Sequence, residues 1–238
     1  MSLWRALSAV GGLTAVSRVV GFIRDLVTAA LLGAGTGADA YFIALRAPDL
    51  ARRLLAEGAL SAVFAPRFAA ALASEGRLAA LRFAEDCLAV LLAAAALIVG
   101  VGLWAMPALL DLLAPGLGAQ AAGSAATARA IEYCRLTFPY LLPVAAVALY
   151  GAMLGGLGRM SAFAAAPIIF NLGVLAAAAL AFVLPNASAG YVLSAGVTVA
   201  GGLQALWMLA AARREGVGLR LRRPRRTPAV RGTAGGFG

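Results

Sequence analysis

Arg18, Arg24 and Asp25 stand in "SRVVGFIRD", inside a run from Leu7 to Leu32 that is otherwise apolar or small enough to cross a bilayer as a helix. A second charged group follows in "LRAPDLARRLLAEG", where Asp49, Arg53 and Glu57 are spaced i, i+4, i+8 and Arg52 sits beside them. Ionisable groups at bilayer depth are costly unless they face a water-filled cavity or a partner, so clusters of them mark the path of a substrate or ion. Arginine suits a phosphate or pyrophosphate, whose oxygens accept its planar fork of donors, and it keeps its proton when desolvated. The chemistry expected is therefore binding of an anion.

The spacing sorts these charges. At about 100° per residue Arg18 and Asp25, seven positions apart in the chain, share a helical face, while Arg24 lies about 120° round from Arg18. One narrow salt bridge does not account for all three. In the second group Asp49, Arg53 and Glu57 form a ladder along one face, and Arg52 lies about 100° away from it, not neutralised by it. Pro48 prefers a first helical turn and Asp49 beside it suits a helix N-terminus, which predicts a break or kink near residue 48. Arg18, Arg24 and Arg52 are thus the candidate substrate-binding cations. Asp25, Asp39 and Glu57 are candidates for charges that orient the arginines or switch partners. Arg5, Arg67, Arg77, Arg82 and Arg159, near helix ends, are read as snorkelling to headgroups.

These helices must sit in a membrane. Of 238 residues 63% are hydrophobic and 13% charged, too little polar surface to cover a water-soluble domain of this size. All 20 basic residues are arginine, histidine is absent and the net charge is +10. Histidine bases and histidine-ligated metals are thereby excluded within the chain. Cys87 and Cys134 have no C-x-x-C spacing and read as small apolar residues rather than a disulfide or metal site. The N-terminus shows no short apolar core with a small-residue cleavage site, so no cleaved signal peptide is expected.

A transmembrane helix needs about 20 mostly apolar residues. Cys87 to Leu110, Leu136 to Gly158 and Met160 to Ala212 carry no charge, and the last is divided by "PNASAG" at Pro185 to Gly190. With the two charged segments, six spans are expected at about 7–32, 39–72, 87–110, 136–158, 160–184 and 190–212. Residues 1–212 would form an all-α polytopic membrane helical bundle, and 213–238 a basic cytoplasmic segment lying on anionic headgroups rather than a nucleic-acid arm. Arginine placement predicts both ends on the cytoplasmic side, because the opposite loops "GAGTGA", "DLLAPGLGAQAAGSAAT" and "PNASAG" contain none, and only Arg129 and Arg135, near the outer end of the fourth span, run against the pattern. Among other polar residues, Asn171 and Gln204 are expected to bond between helices more than to touch substrate. Pro139, Pro143 and Pro167 are expected kinks, and "GAMLGG" holds a G-x-x-x-G for close helix approach. Trp104, Trp207 and the tyrosines read as packing or interfacial anchors.

At "SRVVGFIRD", "GAGTGADAYFIALRAPDLARRLLAEGALSAVFAP", "LTFPYLL" and "APIIFNLG" the chain resembles the lipid II flippase family, the MurJ or MviN group of the multidrug/oligosaccharidyl-lipid/polysaccharide (MOP) exporter superfamily. The likeness runs from residue 1 to about 226 and matches the first six of the family's roughly fourteen spans, a MOP/MATE-like N-lobe. The resemblance implies that Arg18, Arg24 and Arg52 engage the pyrophosphate and sugar end of lipid II, with Asp25, Asp39, Arg53 and Glu57 in gating or supporting pairs. It implies alternating access driven by membrane potential or ions, no cofactor, and residence in the bacterial cytoplasmic (inner) membrane. The implied partners are lipid II or a similar polyprenyl-pyrophosphate-linked glycan, membrane lipids and no nucleic acid. The second lobe is missing here, so the chain is expected to be a fragment of a longer reading frame rather than a half-sized protein that must pair with another.

Other readings are a sister exporter of another polyprenyl-linked oligosaccharide or O-antigen unit, a drug exporter, a membrane enzyme acting on lipid pyrophosphates, and a non-transporting scaffold subunit. A drug exporter calls for an acidic cavity, and the enzyme for a histidine base or an acidic metal motif such as D-D-x-x-D, neither of which occurs. A scaffold would pack without buried charge.

Overall fold

Helices account for nearly all of the described residues, and their ends follow from glycine and proline. The computed structural model describes residues 3–53, 63–113, 123–184 and 189–219. In chain order these form α1 (Leu3–Leu32), α2 (Thr36–Arg53), α3 (Ala65–Ser74), α4 (Arg77–Trp104), α5 (Met106–Leu113), α6 (Gly123–Thr137), a 3-10 turn (Phe138–Tyr140), α7 (Leu141–Gly156), α8 (Ser161–Val183) and α9 (Ala189–Arg214). The fold is an all-α polytopic membrane bundle, with no strand among the described residues.

Four segments are long and apolar enough to cross a membrane: Arg77–Trp104, Thr127–Gly156, Ser161–Val183 and Ala189–Arg214. The second of these joins α6 to α7 through the 3-10 turn at Pro139. The two charged segments are built differently. α1 is a single helix of 30 residues with Arg18, Arg24 and Asp25 along its length. The segment expected at 39–72 begins as the 18-residue α2 and ends within α3, residues 54–62 lying outside the described residues. Of the break or kink expected near Pro48, the break is not found, because α2 stays helical from Thr36 to Arg53. Proline there removes the N–H that would bond the carbonyl of Ala44, and the hydroxyl of buried Thr137 on α6 donates to that carbonyl instead, at 3.1 Å.

Both α7 and α9 end in a Schellman motif whose left-handed residue is glycine, the residue that adopts positive φ without a Cβ penalty. Gly158 has φ 73° and Gly216 φ 70°. The bonds from Arg159 N to Leu154 O and from Val217 N to Ala212 O, 2.8 and 2.9 Å, close the two motifs. Both turns lie at one end of the bundle, where Arg159 pairs with Glu215.

Small residues bring the spans together. Gly173 faces Ala200 and Gly196 faces Ala177 with no room for a Cβ, so α8 and α9 pack backbone to backbone. The G-x-x-x-G of "GAMLGG" is half of what its spacing predicts. Gly151 lies under the ring of Phe163, whereas Gly155 has nothing within 4 Å and the following Gly156 meets Phe68 instead. Two apolar cores result, one around Tyr41, Tyr133, Tyr140 and Val174, the other around Phe68, Leu149, Met153 and Met208. Apolar side chains that face outward, such as Leu97, Val101, Phe182 and Val199, suit acyl chains rather than water.

Candidate functional site

The charges of α1 open onto a cavity of about 490 Å³ bounded by α1, α2, α8, α9 and the 3-10 turn. Arg18, Arg24 and Asp25 supply its charge, Asn171 and Gln204 its amides, and Tyr41, Tyr140 and Phe170 part of its aromatic wall.

Asn171, 6% exposed, is the structural centre of this site. Its Nδ2 donates to the carbonyl of Ser17 at 3.2 Å, and its Oδ1 accepts from Nη1 of Arg24 at 2.8 Å. A Cβ on Gly21 would stand 3.1 Å from the Asn171 amide nitrogen, so a glycine there lets the side chain lie flat against α1. The Asn171 side chain thus bonds two points of α1 nearly two turns apart and fixes both the helix and the guanidinium.

Arg24 is held from three sides. Its Nε and Nη2 donate to one carboxylate oxygen of Asp25 at 3.0 and 2.7 Å, Nη1 donates to Asn171, and its Cζ lies 5.9 Å from the centre of the Phe170 ring. That ring distance is within cation–π range. A guanidinium so oriented presents its remaining N–H edge with little rotamer entropy left to lose. Arg18 differs. It is exposed in the cavity and has no hydrogen-bond or ion-pair partner among the described residues. The site therefore combines one anchored and one unengaged guanidinium with a single carboxylate, a local excess of positive charge enclosed by aromatic walls. It holds arginine donors for an anion and no histidine that would serve as a base.

The other candidates fall elsewhere. Asp39 is exposed in the first turn of α2 and does not line the cavity, and Arg53 is exposed at the end of that helix. Arg52 lies on α2, but its side chain is outside the described residues, as are the side chain of Asp49 and all of Glu57, so the expected ladder lies there too. Cys87 and Cys134 are free thiols. Tyr41 and Tyr140, expected as packing or interfacial anchors, are core residues at 2% and 4% exposure, and they also line the cavity. Hydropathy gave no sign that they face the cavity; Tyr41 lies in "ADAYF", just ahead of the second charged motif, and Tyr140 in "TFPY", far from both charged motifs in sequence. Gln204 brings to the cavity a buried Oε1 with no hydrogen-bond partner among the described residues.

Comparison with known proteins agrees with the sequence motifs. The family described as lipid II flippase MurJ matches residues 28–234. A probable lipid II flippase MurJ of Rhizobium meliloti (strain 1021) is 37% identical over 234 residues, covering 97% of this chain and 43% of the relative. Its counterpart in Rhizobium tropici is 38% identical over the same shares of the two chains. A lipid II flippase MurJ of Burkholderia cenocepacia is 34% identical over 210 residues, 88% of this chain and 40% of the relative. The chain spans less than half the length of these relatives.

Proposed function

Because this chain belongs to the lipid II flippase MurJ family, we propose that it forms the N-terminal lobe of a transporter moving lipid II from the inner to the outer leaflet of the bacterial cytoplasmic membrane. The observation that carries the reading is the joint placement of Arg18 and Arg24 in one cavity between apolar spans. A pyrophosphate is the part of lipid II such a site would hold, because its oxygens accept paired N–H donors and its charge is balanced by the guanidinium excess. The sugar hydroxyls and amides would lie against Tyr41, Tyr140 and the free acceptor of Gln204. The polyprenyl tail stays in lipid, no bond is made or broken, and the protein is a transporter rather than an enzyme.

Arg52, Arg53, Asp39 and Glu57 belong to the same proposal, as the further cation and the gating charges on the second segment. So does a second lobe from the remainder of the reading frame, closing the cavity on the open side of α1, where Val16, Val19, Phe22 and Ile23 are exposed. Both ends of the present chain are assigned to the cytoplasm. Arg77, Arg159, Arg213 and Arg214 then sit at the inner surface with the arginine-rich tail.

The test is outer-leaflet exposure of lipid II in bacteria depleted of their own flippase, expressing the complete reading frame with Arg18 or Arg18→Ala and with insertion of both verified. Restoration by the native frame alone supports flippase activity and the cationic cavity together. Failure of both frames removes lipid II as the substrate and favours a sister exporter of another polyprenyl-linked glycan.

A further inference from the structure

A second cavity, of about 400 Å³, lies at the end of the bundle that holds the α7–α8 turn and the C-terminus of α9. Its floor is apolar, formed by Leu13 of α1, Ala162 and Ala165 of α8 and the ring of Trp207. The ring is fixed as a wall because its Nε1 donates to the carbonyl of Ala162 at 3.1 Å. At the rim stand Arg159 and Arg214, placed by the two Schellman turns that end α7 and α9. Glu215 is the one carboxylate there. It takes the Nε of Arg159 at 3.2 Å, while its backbone carbonyl accepts from Nη2 of Arg77 at 2.8 Å. Arg214 is exposed and has no hydrogen-bond or ion-pair partner among the described residues.

We propose that this groove binds an anionic phospholipid, with its phosphate on Arg214 and Arg159 and the start of one acyl chain along Leu13, Ala165 and Trp207. The site is separate from the α1 cavity and does not depend on what that cavity transports. Three observations select the occupant. The groove lies at the ends of membrane-spanning helices, where headgroups meet acyl chains, and a part-buried tryptophan with its N–H engaged is suited to that level. Apolar floor and cationic rim match the two parts of an anionic lipid. The chain's own next residues are an unsuitable occupant, since Arg220, Arg222, Arg223, Arg225 and Arg226 carry the same charge as the rim.

Trp207 reports on the site directly. With Trp4 and Trp104 replaced by phenylalanine, the protein is placed in nanodiscs carrying phosphatidylglycerol or phosphatidylcholine brominated on the acyl chains, and quenching of Trp207 is measured. Brominated phosphatidylglycerol is expected to quench at lower mole fraction. Arg214→Gln should reduce that preference about fivefold, the loss of one direct charge-assisted contact to the phosphate, on the order of 1 kcal/mol. Arg159→Gln should reduce it at least as much, because it also frees the Glu215 carboxylate. Arg213→Gln, an equal loss of charge outside the groove, should reduce the preference clearly less than Arg214→Gln does. Ala210→Phe, which narrows the groove at an exposed position, should weaken quenching by both lipids. Equal effects of Arg213→Gln and Arg214→Gln would overturn the site in favour of diffuse surface charge. Loss of quenching on adding inorganic phosphate at the lipid concentration would overturn the lipid in favour of a free anion.

Discussion

The hydroxyl of Thr137 donates to the carbonyl of Ala44 across 3.1 Å, and Ala44 is the residue whose carbonyl Pro48 leaves without its helical partner. Thr137 is fully buried and also lies 3.2 Å from the carbonyl of Cys134 in its own helix. A hydroxyl on α6 thereby satisfies the carbonyl that the proline leaves open and ties the charged second segment to an apolar span. Thr137→Val keeps the shape and removes the donor, leaving a buried carbonyl unsatisfied. A loss of about 1 kcal/mol in stability is expected, recovered by Thr137→Ser. Unfolding in mixed micelles measures it, and equal stability of the valine variant would show that the bond contributes nothing.

The link between Arg24 and Asn171 is open to a double-mutant cycle. Each single substitution to alanine removes the 2.8 Å bond, so the double variant should lose less than the sum of the two. A coupling of about 1 kcal/mol is expected for a charge-assisted bond of a group that keeps some solvent contact. Strict additivity would mean that Asn171 supports α1 through Ser17 alone.

Much of this was legible in the residues, and the part that was not has a physical cause. Arg18, Arg24 and Asp25 stand out because charge is rare in apolar helices, and the all-α membrane bundle follows from uncharged runs of span length. What periodicity does not carry is which helix each face meets. Asn171 looked like one interhelical polar residue among others, and only the packing of α8 on α1 puts it against Gly21 and Arg24. The break predicted at Pro48 failed for a similar reason. Local proline chemistry is right about the lost bond, but Thr137 reaches Ala44 from 93 positions away in sequence.

Glycine spacing gives a sharper contrast within one motif. Gly151→Ala would drive a Cβ into the Phe163 ring, whereas Gly155→Ala meets nothing within 4 Å. The first should destabilise by about 1–3 kcal/mol, and the second should be neutral or gain up to ~1 kcal/mol from helix propensity. Thermal denaturation of the two variants in detergent decides the matter. Similar losses at both positions would assign the motif to a contact made on the Gly155 face.

Arg18 and Arg24 are both cavity guanidiniums, yet their surroundings predict different behaviour on substitution. Arg24→Ala breaks the pairing with Asp25 and the bond to Asn171, so it should lower stability as well as transport. Arg18→Ala removes a side chain with no partner among the described residues, so stability should stay within about 0.5 kcal/mol of the native value. Transport should fall with the loss of a charge-assisted contact, by about tenfold or more. Arg18→Lys restores the charge without the planar fork and should recover only part of it. Thermal stability and outer-leaflet exposure of lipid II, read on the same preparations of the complete reading frame, separate the two residues. An Arg18→Ala protein that transports normally would leave Arg24 as the one described arginine lining the cavity, and a single anchored guanidinium already paired with Asp25 is a weak pyrophosphate site.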